Sequence, residues 1–159
     1  MRLKGKTCVV TGGSGGIGEA VVRRFVAEGA QVLIADVAID DAKALAQELG
    51  DCVTAIQCDV RLEEQVEAVA KLAYSNWSQV DILVNNAGSE LNKPYDKTTV
   101  EEWDRILDTD LKGSWLMCKH LVPGMVTRGS GSVINISSLN GLVGFPLSTA
   151  YGSAKGGLV

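Results

Sequence analysis

The stretch "TCVVTGGSGGIGEAVVRRFVAEG", residues 7–29, decides how this chain is read. Its first five residues form a short apolar run of strand character. A glycine-rich turn follows, and then an amphipathic segment of helical period. Gly12, Gly16 and Gly18 allow the backbone to turn tightly and to approach a pyrophosphate, whose charge a helix N-terminus stabilises. A glycine turn without a ligand has the same composition, so the weight lies in its position between a strand and a helix. A P-loop is disfavoured because no lysine follows Gly18.

The same alternation continues outward. Strands are predicted at 7–11, 31–36, 52–60, 80–88 and 131–138. Helices are predicted through 18–29, over 40–50 with Gly50 as the C-terminal cap, over 63–77 with Val66, Val69, Ala70 and Ala73 on one face, and over 100–127. A last helix begins near Thr149. The long helix carries a stripe of Trp103, Leu107, Leu111, Ser114, Cys118 and Leu121. Continuous apolar strands separated by helices imply an α/β fold, a parallel sheet covered on both faces. No repeat or linker interrupts it, so residues 1–159 read as one domain.

Composition narrows the function. Eighteen glycines in 159 residues are about 11%, above the roughly 7% of average proteins, so several backbone positions need unusual dihedrals or close approach. A net charge of −4 without a Lys/Arg cluster argues against a nucleic-acid footprint. No run of about 18 apolar residues exists and the start lacks a signal-peptide core, so no membrane contact is expected and the location reads as cytoplasmic. Cys8, Cys52, Cys58 and Cys118 lack metal-ligand spacing and read as reduced, buried or half-buried thiols.

Three further features carry chemistry. Asp36 ends the second strand, where a carboxylate accepts hydrogen bonds from both ribose hydroxyls of an adenosine and repels a 2′-phosphate. No Lys or Arg lies between Thr11 and Gly18 or within "DVAIDD" (36–41) to neutralise that phosphate, so NAD is favoured over NADP. A helix-capping acid is the plainer reading of Asp36, and a methyltransferase uses a similar turn and acid. Tyr151 and Lys155, at i and i+4, share a helix face. Free phenols are poor proton carriers at neutral pH, but unit charges about 6 Å apart at an effective dielectric near 20 interact by roughly 3 kcal/mol. The ammonium therefore favours the phenolate and suits acid–base work. With nine lysines in the chain, that spacing alone is weak. Ser138 strengthens it, ending the fifth strand at the sheet edge where ligands bind and offering a hydroxyl to a substrate oxygen. "NNAG" (85–88) lies at the same edge, after the fourth strand.

Taken together, Thr11-Gly12, Gly16-Ile17-Gly18, Asp36, Asp59-Val60, Asn85-Asn86-Ala87-Gly88, Ser138 and Tyr151 with Lys155 resemble the short-chain dehydrogenase/reductase family across nearly the whole chain. The resemblance implies a Rossmann-like doubly wound sheet of strand order 3-2-1-4-5. It also implies hydride transfer between nicotinamide and the carbon of a small-molecule alcohol or carbonyl substrate. By position, Tyr151 is the acid/base, Ser138 holds the substrate oxygen, and Lys155 grips the nicotinamide ribose and favours the phenolate. Asp59 and Val60 face the adenine. Thr11, Gly12, Ser14, Gly16, Ile17, Gly18, Asn86, Ala87 and Gly88 surround the cofactor, and homo-oligomers are common.

Two departures from the family pattern stand out. Asp110 occupies the place of an asparagine that supports a proton-relaying water, and its helical phase puts it near the Leu107–Ser114 stripe, at least partly buried. The family also continues past the lysine with two more strands and a substrate-covering loop. The chain therefore reads as an amino-terminal portion, with an exposed fifth strand, low stability and little activity on its own. An NAD-binding sensor or scaffold is the rival reading. His120 has no acid at a spacing that marks a triad or metal site and reads as structural, and Trp77, Trp103 and Trp115 read as packing residues.

Overall fold

The computed structural model describes all of residues 1–159. In chain order it contains β1 (Thr7–Thr11), α1 (Gly16–Ala27), β2 (Gln31–Asp36), α2 (Ile39–Leu49), β3 (Val53–Gln57), α3 (Glu63–Asn76), β4 (Ile82–Asn85), α4 (Val100–Leu107), α5 (Gly113–Arg128), β5 (Ser132–Asn135) and α6 (Thr149–Gly157). The strands form one five-stranded sheet in the order β3-β2-β1-β4-β5, and every pairing is parallel, as expected.

The two-residue period of the strands sorts the core into two layers. Cys8 and Val10 of β1 join Val32, Ile34 and Val84 beneath α1 and α2, where Val22, Ala42 and Leu45 meet them. Val9, Leu33 and Leu83 point the other way, against Val66 and Val69 of α3 and Met117 and Leu121 of α5. A third cluster, Ile106 with Ala150 and Ala154, seats α6 against α4. At the far end of the sheet Asp81 accepts from the Thr7 backbone N–H (3.1 Å) and lies 3.3 Å from Lys6 Nζ, pinning the start of β1 to the start of β4.

Three strands are shorter than the apolar runs predict. β3 stops at Gln57, β4 at Asn85 and β5 at Asn135. Single bonds continue past the ladder, from Cys58 N to Asp36 O and from Ile136 N to Asn85 O, both 2.9 Å. Beyond them the chain lifts off as loops whose apolar residues pack elsewhere, as Val60 does on Gly113. Gly50 ends α2 at φ +83°, the cap its position predicts.

The predicted 100–127 helix is interrupted. Residues Asp108–Lys112 form a π-turn between α4 and α5. The extra residue in that turn resets the helical phase. The buried positions become Ile106, Asp110, Gly113, Ser114, Leu116, Met117, Leu121 and Met125, so Ser114 and Leu121 of the predicted stripe are buried, while Trp103 and Trp115, expected to pack, are exposed. Leu107, Leu111 and Cys118 are half-buried. Trp77 does pack against the core. β5 is exposed along its length, as an edge strand without an outer neighbour must be. No helix is long and apolar enough to cross a membrane.

Candidate active site

The glycine turn is stapled to the end of β4. Thr11 Oγ1 accepts from the backbone N–H groups of Asn86 and Ala87, both at 3.0 Å. The Asn86 side-chain amide donates back to the carbonyls of Thr11 (3.0 Å) and Gly12 (2.9 Å). Gly12 adopts φ +61°, and a Cβ there would lie 2.9 Å from Ala87 Cα, so the crossing needs glycine. Gly15, the N-cap of α1, has no side chain to cap the first turn. The leading N–H groups of α1 consequently face outward beside exposed Gly16 and Ile17, an arrangement that accepts a negative charge.

Asp36 is buried at the end of β2. Its Oδ2 accepts from the backbone N–H (2.9 Å) and hydroxyl (2.8 Å) of Ser14, and its Oδ1 accepts from Ala38 N (3.0 Å). Asp36 lines a cleft with Gly12, Cys58, Asp59, Val60, Ala87 and Gly88, and no Lys or Arg lines it. Asp59 is held by Arg61, whose Nη2 lies 2.6 Å from Oδ2, and that pairing keeps its carboxyl below the usual range. The Cys58 thiol is pushed up to about 12, chiefly by burial and then by Asp59 and Asp36, so it is a protonated wall of the cleft. All four cysteines are free thiols.

Tyr151, Lys155 and Asp110 converge at a second opening beside the first, lined also by Asn86, Gly88, Ser89 and Ser137. Lys155 Nζ lies 5.5 Å from the Tyr151 ring centre. It donates to the Ile136 carbonyl (2.9 Å) and sits 3.2 Å from Asp110 Oδ2. That contact is an ion pair without hydrogen-bond alignment, and Oδ2 has no other polar partner. Asp110 Oδ1 accepts from Ser89 N at 2.8 Å. Burial pushes the Asp110 carboxyl up, against the smaller pulls of Ser89 and Lys155.

Ser138 stands on the turn beyond β5 and caps the 3-10 turn at Leu139–Gly141, its Oγ accepting from Asn140 N (3.2 Å). It does not line the opening that holds Tyr151; Ser137 and Ile136 do.

Several residues escaped sequence reading. Ser89 fixes Asp110, the Ile136 carbonyl fixes Lys155, and Ser137 Oγ donates to the Lys155 carbonyl (2.8 Å). Gly141 is needed because a Cβ there would fall 2.5 Å from that same carbonyl oxygen. These act largely through backbone atoms, which no side-chain pattern reports. His120 lies away from both openings and, contrary to its lack of an acid neighbour in sequence, meets Glu63 Oε1 at 3.0 Å across α3 and α5. Lys119 also pairs with Glu63, at 2.6 Å.

Comparison with known proteins places these features in context. The family model for short chain dehydrogenases matches residues 6–159. A 3beta-hydroxysteroid dehydrogenase of Eggerthella lenta is 38% identical, over 98% of this chain and 62% of that protein. A 3-oxoacyl-[acyl-carrier-protein] reductase of Thermotoga maritima is 33% identical, over 100% and 66%. An NADP-dependent 3-hydroxy acid dehydrogenase of Shigella flexneri is 38% identical, over 92% and 60%. The crystal structure of a short-chain dehydrogenase from Streptomyces avermitilis superposes with a TM-score of 0.93 at 34% identity, over 98% of this chain and 57% of that one. The chain thus spans less than two thirds of the length of each of these proteins.

Proposed function

This chain belongs to the short-chain dehydrogenase/reductase family, and from that footing we propose that it is the NAD-binding and catalytic part of an oxidoreductase interconverting an alcohol and a carbonyl compound, with Tyr151 as the acid/base. The observation that carries the reading is the meeting of Tyr151 and Lys155 beside the glycine cradle, with the ammonium 5.5 Å from the phenol ring.

The residues present fit a dinucleotide. Gly12 keeps the turn low against Ala87, the first turn of α1 is uncapped, and Asp36 offers a fixed carboxylate in a cleft without cations. When bound, NAD supplies the two-electron acceptor or donor. The chain's residues handle the proton. Tyr151 Oη takes the hydroxyl proton of the alcohol during oxidation and returns it to the carbonyl oxygen during reduction. Lys155 favours the phenolate while the proton is on the substrate side. For Ser138 Oγ to donate to the substrate oxygen, the turn that carries it must bring it from its contact with Asn140 N into the opening that holds Tyr151.

Asp36 supports NAD over NADP. A 2′-phosphate about 4 Å from an unneutralised carboxylate costs roughly 1–4 kcal/mol, or about 5- to 1,000-fold in affinity. The names of the relatives given above specify a 3beta-hydroxysteroid, a 3-oxoacyl-[acyl-carrier-protein] and a 3-hydroxy acid. A secondary alcohol or its ketone is the class these names share, and we propose it for this chain. The test is NAD and NADP reduction by the protein carrying these residues against a panel of secondary alcohols. Turnover with NAD in clear preference is expected; turnover preferring NADP, or none, contradicts the reading. A second reading, a nucleotide-binding protein with little turnover, draws on the engagement of Lys155 by Asp110. NAD binding without turnover across the panel favours it.

A further inference from the structure

The π-turn between α4 and α5 delivers Asp110 to the one place in the chain where a carboxylate meets the lysine of the candidate site. Asp110 is fully buried and Lys155 is 4% exposed. Oδ1 is fixed by Ser89 N, leaving Oδ2 directed at Nζ. The packing is close: a Cβ on Gly88 would fall 2.9 Å from Oδ2 and 3.4 Å from Nζ. Insertions of this kind in helices often mark functional positions.

We propose that Asp110 is a positioning residue that offsets the charge of Lys155, so that Tyr151 releases its proton at a more alkaline pH than the ammonium alone would allow. The proposal rests on the reading of Tyr151 as acid/base. The ammonium is 5.5 Å from the phenol ring centre and 3.2 Å from the buried carboxylate, which cancels part of the field that reaches the ring. The remaining surroundings leave this pair in control. From the loop after β4, Glu90 lines the opening but is exposed and screened by water. From α4, Arg105 reaches only Ser89 Oγ, at 3.4 Å. Asp108 in the π-turn is paired with Lys112. The contributions from the glycine turn, β4 and the β5 side are Ile17, Asn86, Ile136 and Ser137, all neutral. Lys155 is also held by its bond to the Ile136 carbonyl, which does not involve position 110, so removing the carboxylate is expected to change charge more than position.

The test is a titration of tyrosinate ultraviolet absorbance in the wild-type protein and in Asp110→Asn, each referred to the same protein carrying Tyr151→Phe, with no cofactor required. The Tyr151 midpoint is expected about one pH unit lower in Asp110→Asn. An unchanged or higher midpoint overturns the proposal. Should Asp110→Asn fail to fold, Asp110→Ser carries the same expectation. In turnover, the pH profile of NAD reduction moves to lower pH by a similar amount, whereas an equal loss of kcat at every pH, which a merely structural role would give, counts against the proposal. A wild-type protein without NAD-linked turnover refutes the functional reading, while the absorbance titration still decides the effect of Asp110 on the phenol.

Discussion

Gly18→Ala tests the join between the cradle and the sheet. Gly18 lies in the first turn of α1, against the Gly12 carbonyl, which the Asn86 side chain binds at 2.9 Å. An added Cβ would fall 2.6 Å from Asn86 Nδ2 and closer still to the Gly12 oxygen. Real Cβ contacts do not tolerate this, and both obstacles are backbone or held by backbone. The helix must lift or the turn must reform, and either way the Asn86–Gly12 bond is lost. Overpacking costs about 1–3 kcal/mol and the lost bond about 1 kcal/mol, while the better helix propensity of alanine returns about 1 kcal/mol. The net expectation is a loss of about 1–3 kcal/mol, read as a fall in urea midpoint of about 1 M at a typical slope. Gly15→Ala is the control. A Cβ at Gly15 meets nothing within 4 Å and its φ is −154°, so it should cost less than about 1 kcal/mol. NAD affinity should fall in Gly18→Ala as well. If Gly18→Ala is no more destabilised than Gly15→Ala, the described packing of cradle on sheet is wrong.

Two other perturbations have signed outcomes. Asp36→Ala removes the carboxylate proposed to select the cofactor, so NAD affinity should drop about 10- to 100-fold while that for NADP rises; isothermal titration with both dinucleotides checks this, and an unchanged ratio refutes the role. At Asp81, burial raises the carboxyl, but the Thr7 N–H and Lys6 outweigh it and hold the group below the usual carboxylate range. A carboxylate depressed on folding lends stability that is fully present above its unfolded pKa, near 3.9, and is lost as pH falls through the folded value. Asp81→Asn should therefore flatten the decline of the urea midpoint below about pH 4 and cost about 1–3 kcal/mol at neutral pH, and an unaltered acid limb would count against it.

The strands were legible because buried parallel strands write themselves as apolar runs, their order followed from the family resemblance alone, and the glycine turn marked where β1 hands over to α1. Gly50 was legible for a similar local reason, a positive φ at a helix end. The π-turn was not. Its signature is a change of hydrogen-bond spacing, and residues 100–127 keep enough apolar character to sustain the stripe of an uninterrupted helix. That error put Trp103 in the core, yet the burial of Asp110 survived it because both phases bring position 110 inward. The partners of Lys155 were illegible for another reason. Ile136 gives Lys155 a carbonyl and Ser89 gives Asp110 a backbone N–H, and every residue type but proline has both. Spacing put Tyr151 and Lys155 on one face, and the family resemblance put Asp110 in their neighbourhood, but its direct contact with the ammonium was not legible.

The most direct measurement is the rate of NAD reduction with a secondary alcohol by the protein carrying this chain, compared with its Tyr151→Phe variant at equal cofactor occupancy. The phenylalanine keeps the ring and loses only the proton-carrying oxygen, so a fall of about 10²- to 10⁴-fold is predicted with NAD affinity nearly intact. A variant that turns over within about twofold of wild type would place the acid/base elsewhere and contradict the account.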